Sequence, residues 1–253
     1  MNHLDLFSGI GGFALAVDRV WPGSTHIFCD NDLFCQEVLR KHWPDSKIYG
    51  DIKEFGEKVH PDLVTAGFPC QPASYAGKKR GTADTRWLWP ETIRAIRETK
   101  PTWVILENVR GLISLDGGLV FQSLLLDMET NDYEVQAFII PACAVNAPHR
   151  RDRVWVIAHS ASDGLHEPKN RKGDNKRNDD NTERQDKLRQ LKGSNTIRPQ
   201  ITNWGEDWLK IATKSNRMDD GLPNRLYRIK ALGNSIVPQV AEEIMKAIKQ
   251  TYV

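Results

Sequence analysis

The sequence has 253 residues, a formal net charge of +2, 40% hydrophobic residues and 27% charged residues. A chain of this length can bury a substantial core and fold as one large domain with a small accessory one. The near-neutral charge does not by itself indicate a nucleic-acid partner. Attraction to phosphate must therefore come from local clusters of lysine and arginine.

The apolar runs and the cysteines argue against several other classes of protein. No stretch approaches the roughly 20 apolar residues that span a bilayer, so we predict no membrane partner. The start, MNHLDLFSG, lacks the charged-then-apolar layout of a signal peptide, which favours a cytoplasmic location. The four cysteines form no CxxC pair and no zinc spacing, which predicts neither a metal site nor a disulfide framework. We expect Cys29, Cys35 and Cys143 to be small buried apolar residues.

Short β-branched or aromatic runs alternate with helix-like segments over residues 1–159. The predicted strands are residues 3–7, 25–29, 47–49, 63–66, 103–106, 134–140 and 153–158. Predicted helices lie near residues 11–20, 31–42, 87–99 and 117–130. This alternation predicts an α/β fold with βαβ units and a mostly parallel seven-stranded sheet, covered by helices on both faces.

The composition changes after residue 159. Residues 163–200 contain ten lysines or arginines and seven aspartates or glutamates, so they can bury little. We expect this segment to be extended, mobile or ordered only on binding, with a solvated surface insertion as the alternative. Residues 236–250 then predict an amphipathic helix, since Ile236, Val240, Ile244 and Ile248 are four residues apart and Pro238 stands in its first turn.

Distinctive residues follow the first three predicted strands, where open parallel sheets bind ligands. The loop Asp5-Leu-Phe-Ser-Gly-Ile-Gly-Gly12 allows a tight turn and close approach of a ligand, although a GxGG turn alone is weak evidence. Asp30 ends the second strand, where such folds hold a ribose; it could instead cap the next helix. Asp51 ends the third strand and could accept a bond from an adenine amino group or serve as a turn residue.

Two further strand ends carry reactive groups. Cys70 lies in the loop Gly67-Phe-Pro-Cys-Gln-Pro, just past a strand, and its thiolate would be a strong nucleophile. Nearby cations or a helix N-terminus would lower the pKa of this thiol. Glu107, in Glu107-Asn-Val, follows the apolar strand 103–106. Desolvation there can raise the pKa of the carboxyl group, which can then donate a hydrogen bond.

These residues resemble those of a known family, the DNA (cytosine-5) methyltransferases, over nearly the whole chain except about residues 160–216. The matching blocks, in the family's order, are DLFSGIGG at the start, GFPCQP around Cys70, DTRWLW from Asp84, ENV at Glu107, HRRDR at residues 149–153 and LGNSIVP from Leu232. Six blocks in order are highly specific. One departure is His149, where the family usually has glutamine.

The resemblance implies a Rossmann-like S-adenosylmethionine-dependent methyltransferase fold. Residues 1–159 would be the catalytic and cofactor-binding domain, residues 160–227 a small target-recognition region, and residues 228–253 a C-terminal segment that returns to the catalytic domain. Cys70 would add to cytosine C6, and Glu107 would engage the ring N3 and the exocyclic amine. Of Arg151 and Arg153, one would lie near the base and one would orient the acidic group. The S-adenosylmethionine pocket would comprise Phe7, Ser8, Gly9, Ile10, Gly11, Asp30, Asn31, Asp51, Ile52, Pro69, Asn234 and Ser235.

The implied reaction transfers a methyl group from S-adenosylmethionine to C5 of a cytosine flipped out of a specific site in double-stranded DNA. It proceeds through a covalent adduct to Cys70 and serves DNA modification or protection against restriction. We expect a monomer without a metal, in a bacterial or phage-infected cell. Lys78, Lys79 and Arg80 would meet phosphates beside the base, unless they form a solvated basic turn, and Arg217 would lie in the base-reading segment 201–228.

Two alternatives stay open at the level of sequence. One branch of the family methylates tRNA, and the short variable region here is compatible with that substrate. A catalytically silent DNA-binding protein could also keep the fold, although intact Cys70, Glu107, Arg151 and Arg153 argue against it. The sequence does not decide between an orphan or phage enzyme and the modification half of a restriction system.

Overall fold

The computed structural model describes residues 1–69, 87–161 and 225–251. The chain divides into two units, Met1–Asp163 with Met218–Val253, and Gly164–Arg217. All described residues belong to the first unit, and the boundaries of the target-recognition region stay a prediction. Several predicted site residues lie outside the described residues: Cys70, Lys78, Lys79, Arg80 and Arg217.

Seven strands form one sheet in the order β3-β2-β1-β4-β5-β7-β6. Strands β1 to β5 pair in parallel, whereas β7 lies antiparallel between β5 and β6. The mostly parallel seven-stranded sheet predicted from the sequence is therefore confirmed. The strands are β1 (Asn2–Leu6), β2 (Thr25–Cys29), β3 (Lys47–Tyr49), β4 (Leu63–Ala66), β5 (Trp103–Val109), β6 (Tyr133–Pro141) and β7 (Asp152–Ser160).

Helices cover both faces of this sheet, as predicted. They are α1 (Gly12–Val20), α2 (Leu33–His42), α3 (Trp89–Thr99), α4 (Leu119–Glu129), α5 (Arg225–Asn234) and α6 (Pro238–Thr251). Leu63, Ile105 and Trp155 share a core with α1 and α6. Val64 and Leu106 share another core with α3 and α4. Because successive strand residues point to opposite faces, β4, β5 and β7 contribute buried residues to both cores.

Both ends of β1, β6 and β7 and the end of β5 differ from the predicted bounds, and two of these differences bear on the site. Strand β1 ends at Leu6, because Phe7 has a left-handed backbone conformation with φ 56°. Strand β5 runs to Val109 because antiparallel pairing with β7 continues to the Val109–Arg153 position. Glu107 therefore lies within the strand and not after it.

The C-terminal helices account for the return of the chain to the sheet. Helix α6 begins at Pro238 and buries Val240, Ile244 and Ile248, as its four-residue spacing predicts. The sequence patterns do not predict α5, because the Gly-Asn pair near its end is typical of a loop.

Among the cysteines, Cys29 and Cys35 are buried, but Cys143 is exposed in the turn after β6. The prediction for Cys143 was wrong.

In the described part of the chain, one segment, Arg110–Glu129, is long and apolar enough by length and composition to cross a membrane. This finding corrects the statement from the sequence that no such stretch exists. The segment is not one continuous helix, because residues 115–117 leave the helical region and Asp116 has φ 51°. Helix α4 keeps 11 residues, a length of about 16 Å. Leu112, Leu124 and Met128 lie in the core, whereas Leu119 and Leu126 are exposed.

Candidate active site

The loop between β1 and α1 is tied to the end of β2. The hydroxyl of Ser8 donates to the Asp5 carbonyl at 2.6 Å, and the backbone N–H of Gly9 donates to Oδ2 of Asp30 at 2.7 Å. Gly9 has φ +53°, and a Cβ built on it would meet no atom within 4 Å. This loop therefore leaves open space where a ligand can approach the backbone.

The structure separates the two roles considered for Asp30. Its Oδ1 accepts the Asp32 N–H at 2.9 Å, while the cap of α2 is Asp32, which accepts from the N–H groups of Phe34 and Cys35. Burial raises the pKa of Asp30, and its two backbone hydrogen bonds oppose that rise. Asp30 is thus free of the capping role, and its carboxylate retains lone pairs for a ribose hydroxyl. The exposed Asn31 lies between the two aspartates.

Asp51 has a local role in its turn. Its Oδ1 accepts the Lys53 N–H at 3.0 Å, which fits the turn-residue alternative, and Oδ2 remains for a ligand. The next residue, Ile52, is buried. Burial together with the carboxylates of Asp30, Asp51 and Asp5 raises the pKa of Cys29 to about 12. The acidic groups therefore gather at the end of β2.

The segment between α5 and α6 lies directly against the first glycine loop. A Cβ on Gly12 would stand 2.8 Å from Cγ1 of Ile236 and 3.1 Å from the hydroxyl of Ser235. Only glycine fits there without a shift. Lys230 of α5 also forms an ion pair of 3.4 Å with Asp32, the residue that caps α2. The predicted pocket residues Asn234 and Ser235 are therefore brought to the same edge as residues 7–12.

Glu107 forms a buried pair with one of the two predicted arginines. Its Oε1 lies 2.9 Å from Nε of Arg153, and only 8% of Glu107 is exposed. The two residues are diagonal neighbours on one face of the β5–β7 ladder. Burial raises the pKa of Glu107, and the guanidinium groups of Arg153 and Arg151 oppose this rise. The carboxyl group can therefore hold a proton that an exposed glutamate would lose.

Arg151 contacts a different part of the chain. Its guanidinium donates two hydrogen bonds of 3.0 Å to the Gly233 carbonyl and one of 2.9 Å to the Ser235 carbonyl. Its backbone has φ 37°, a conformation that is strained for a non-glycine residue. Arg153 therefore orients the acid, whereas Arg151 joins the Glu107 region to residues 233–235, the segment between α5 and α6. The neighbouring His149 is exposed.

Asn108 connects Glu107 to the loop that leads to the predicted nucleophile. The Nδ2–H of Asn108 donates to the Phe68 carbonyl at 2.9 Å, and Asn108 is buried. A Cβ on Gly67 would lie 3.8 Å from Oε2 of Glu107. Residues 67–69, including the predicted pocket residue Pro69, thus run beside the acid, and Cys70 is the next residue in the chain. Sequence reasoning did not single out Asn108, although a polar residue continuing an apolar strand is a usable signal.

Two exposed arginines, Arg110 and Arg150, lie near the Glu107–Arg153 pair. Nη1 of Arg110 and Nε of Arg150 lie 3.4 Å and 3.0 Å from the carboxylate oxygens of Asp152. Arg110 follows the end of β5, and Asp152 begins β7, so the cluster stands at the edge that holds Glu107. Within residues 1–69, 87–161 and 225–251, no three histidine, cysteine or acidic side chains are grouped to hold a metal.

Comparison with known proteins identifies the relatives of this chain. The family model of the C-5 cytosine-specific DNA methylases matches residues 1–222. The Type II methyltransferase M.HhaI of Haemophilus parahaemolyticus is 35% identical over 161 residues, which cover 62% of this chain and 48% of that protein. The Type II methyltransferase M1.ScrFI of Lactococcus lactis subsp. cremoris is 36% identical over 157 residues, which cover 61% of this chain and 40% of that protein. These matches span about half or less of the relatives' own length.

The fold is shared with solved methyltransferases. A putative DNA modification methyltransferase encoded within an E. coli prophage superimposes with a TM-score of 0.54 at 22% identity, over 65% of this chain and 48% of that one. At this identity the likeness concerns the fold alone. Together with the sheet topology, it identifies the α/β fold of S-adenosylmethionine-dependent methyltransferases, as predicted.

Proposed function

The chain belongs to the family of C-5 cytosine-specific DNA methylases, and we propose that it transfers a methyl group from S-adenosylmethionine to C5 of cytosine in double-stranded DNA. The observation that carries this proposal is the buried Glu107–Arg153 pair beside residues 67–69, one residue before Cys70. An acid that can hold a proton next to a nucleophile loop is what addition to a pyrimidine ring requires.

The chemistry follows from the low reactivity of cytosine C5. The Cys70 thiolate adds to C6, and the electrons of the C5=C6 bond shift toward N3. Glu107 donates its proton to N3, so that C5 becomes the nucleophilic carbon of an enamine. Bound S-adenosylmethionine supplies an electrophilic methyl group to that carbon. A base then removes the C5 proton, the C5=C6 bond re-forms, the cysteine leaves as a thiolate, and the proton on N3 returns to Glu107. Arg153 keeps Glu107 oriented through these steps.

The residues at the sheet edge fit S-adenosylmethionine. Open space faces Gly9, Asp30 has lone pairs left at the ribose position, and Ser235 stands next to the glycine loop. A buried carboxyl oxygen of Asp5 has no hydrogen-bond partner beneath this loop. Binding would involve Phe7, Ser8, Gly9, Ile10, Gly11, Asp30, Asn31, Asp51, Ile52, Pro69, Asn234 and Ser235. No metal is needed for the proposed reaction.

The target base must leave the duplex, because C5 and C6 are inaccessible inside the stack. Extrusion costs a few kcal/mol, which contacts to the Watson–Crick edge and stacking offset. Arg110 and Arg150 add exposed cations at the edge that holds Glu107, and so support contact with the phosphates beside the base. Lys78, Lys79, Arg80 and Arg217 remain proposed DNA contacts from the sequence.

The biological role is a further part of the proposal. The relatives' names, Type II methyltransferases, support a part in DNA modification that protects against restriction. We propose a monomer in the cytoplasm of a bacterial or phage-infected cell, since the reaction needs one active site only.

A covalent-trapping experiment tests the proposed chemistry. A duplex that contains 5-fluorocytosine should form a stable adduct in the presence of S-adenosylmethionine, because fluorine cannot leave as a proton does. Cys70→Ser should abolish both the adduct and methyl transfer, and should leave the binding of S-adenosylhomocysteine intact in calorimetry. Unimpaired turnover by Cys70→Ser would exclude Cys70 as the nucleophile.

A further inference from the structure

A continuous polar network crosses the core beneath the first glycine loop, on the α1 face of the sheet. It joins Asp5, Thr65, His3, His26 and Asp18. The bonds run from Oδ1 of Asp5 to the Thr65 hydroxyl (2.6 Å), on to Nε2 of His3 (2.8 Å), from Nδ1 of His3 to Nδ1 of His26 (3.0 Å), and from Nε2 of His26 to Oδ1 of Asp18 (2.9 Å). The first four residues are buried, whereas the Asp18 side chain is 37% exposed.

The number of hydrogens in this polar network is fixed by its geometry. Its four bonds need one hydrogen each. The Thr65 hydroxyl supplies one, and each neutral imidazole supplies one, which makes three if both aspartates are ionised. The network therefore holds a fourth proton. Four arrangements satisfy all four bonds, with the proton on Asp5, on His3, on His26 or on Asp18, and only the first of them leaves Asp5 neutral.

The arrangements differ in the charge that they bury. With the proton on His3, His26 or Asp18, Asp5 is an ionised carboxylate that is 0% exposed, and its Oδ2 has no hydrogen-bond donor. With the proton on Asp5, the only charge is on Asp18, which reaches solvent and accepts from the indole of Trp43 at 2.9 Å. An unpaired buried carboxylate costs several kcal/mol, so the arrangement with neutral Asp5 is favoured.

We propose that Asp5 is a neutral carboxylic acid that positions the cofactor loop, and that the binding of S-adenosylmethionine depends on the proton held by this network. The proposal rests on the proposed function for the identity of the ligand. Asp5 is a positioning residue here, since it acts through the loop and through Asp30.

The link to the loop is direct. The Asp5 carbonyl accepts the Ser8 hydroxyl, and Asp30, which holds the Gly9 N–H, is a charged neighbour of Asp5. A neutral Asp5 allows Asp30 to stay ionised and to keep that bond. Ionising Asp5 would place a second negative charge beside Asp30 and leave one of the four bonds without a hydrogen.

The electrostatics of the described residues agree with this arrangement. Burial raises the pKa of Asp5 to about 8, and the carboxylate of Asp30 adds to this rise. Burial and then His26 lower the pKa of His3 well below its usual value. Among the described residues, Asp30 and Cys29 at the end of β2 are the titratable groups that face Asp5, and the network itself ends at Asp18 on α1.

The direction of the pH effect follows from linkage. The folded-state pKa of Asp5, about 8, exceeds its unfolded value of about 3.9. The contribution of neutral Asp5 is therefore complete below the unfolded pKa, and it is lost as the pH rises through the folded pKa. If the bound form requires the proton, affinity for S-adenosylhomocysteine should fall up to about tenfold between pH 7 and pH 9.

Asp5→Asn is the informative variant, because asparagine mimics the protonated acid and can donate to Thr65. We expect its melting temperature to rise relative to that of the wild type as the pH increases from 6 to 9. We also expect its dissociation constant for S-adenosylhomocysteine, measured by calorimetry, to lack the wild-type weakening over this range. Titration of the ligand's own amino group affects both proteins equally. Parallel pH profiles for the two proteins would overturn the proposal.

A second measurement needs no variant at Asp5. In ¹⁵N spectra of the unliganded wild type at pH 7, neutral Asp5 requires His3 to be the Nδ1–H tautomer and His26 the Nε2–H tautomer, both uncharged. Asp18→Asn, in which the amide oxygen still accepts from His26, should preserve these tautomers. An imidazolium at His26 would contradict the proposal. Absence of ligand binding at every pH would instead count against the proposed function, while the melting and ¹⁵N data still test the network.

Discussion

At the scale of single residues, the proposed reaction depends on the pKa of Glu107. Two opposing effects set its pKa: burial raises it, and the guanidinium groups of Arg153 and Arg151 lower it. The protonated acid is the form that can act on the cytosine N3. Activity should therefore be lost as the pH rises through the folded-state pKa of Glu107.

Arg153→Gln tests this balance. Without its cation, the pKa of Glu107 should rise, so the alkaline limb of the kcat/KM profile should move to higher pH. The same change should lower kcat, by about 10²-fold or more, because Glu107 loses its orienting bond. Arg97→Gln, an exposed arginine on α3, is the matched control and should leave the profile unchanged. An alkaline limb that moves to lower pH would contradict the assignment.

Asn108 belongs to the same scale, since it positions the loop before Cys70. Asn108→Asp removes the donor to the Phe68 carbonyl and buries a charge. We expect kcat and the rate of adduct formation to fall about 10–100-fold, because small displacements of a nucleophile are costly. The dissociation constant for S-adenosylhomocysteine should change far less. Equal losses in both quantities would point to general unfolding.

At the scale of elements, the cofactor side is made by the contact of α1 with the segment before α6. A Cβ on Gly12 would meet Ile236 at 2.8 Å. Gly12→Ala should therefore push residues 235–236 away from the glycine loop, destabilise the protein by about 1–3 kcal/mol and weaken S-adenosylhomocysteine binding. Gly56→Ala is the control, since nothing lies within 4 Å of its added Cβ. Equal binding by the two variants would refute the role given to this contact.

The elements also explain what the sequence could and could not predict. Strands β2, β3 and β4 have the predicted bounds, because short β-branched or aromatic runs ended by turn residues specify a strand locally. Glu107 is polar, and its place inside β5 depends on pairing with Trp155 of β7, which is distant along the chain. Local patterns carry no information on that pairing.

The same limit applies to the two arginines. Arg151 and Arg153 are two residues apart, and the sequence does not say which of them meets Glu107. The answer is fixed by the carbonyls of Gly233 and Ser235, which engage Arg151. Residues 225–235 also form the helix and turn that the sequence patterns missed. Tertiary contacts, not propensity, assign these roles.

At the scale of the whole molecule, the carboxyl edge of the sheet collects the functional groups while the net charge stays at +2. Affinity for DNA must then depend on where cations lie. Replacing Arg110 and Arg150 by glutamine should lower the slope of log K against log salt by about one for each phosphate that is no longer neutralised. Arg97→Gln, at the end of α3 and close to the start of β5, should leave the slope unchanged. Equal slopes for the wild type, the variant at Arg110 and Arg150, and Arg97→Gln would show that Arg110 and Arg150 do not contact DNA.

The proposed function of the protein is methyl transfer to C5 of cytosine in DNA. The most direct measurement is mass spectrometry of nucleosides after incubation of the protein and isotopically labelled S-adenosylmethionine with duplex DNA or with tRNA. We predict labelled 5-methyl-2′-deoxycytidine from the duplex with the wild-type protein and none with Cys70→Ser. Label found only in tRNA, or on a duplex position other than cytosine C5, would contradict the account.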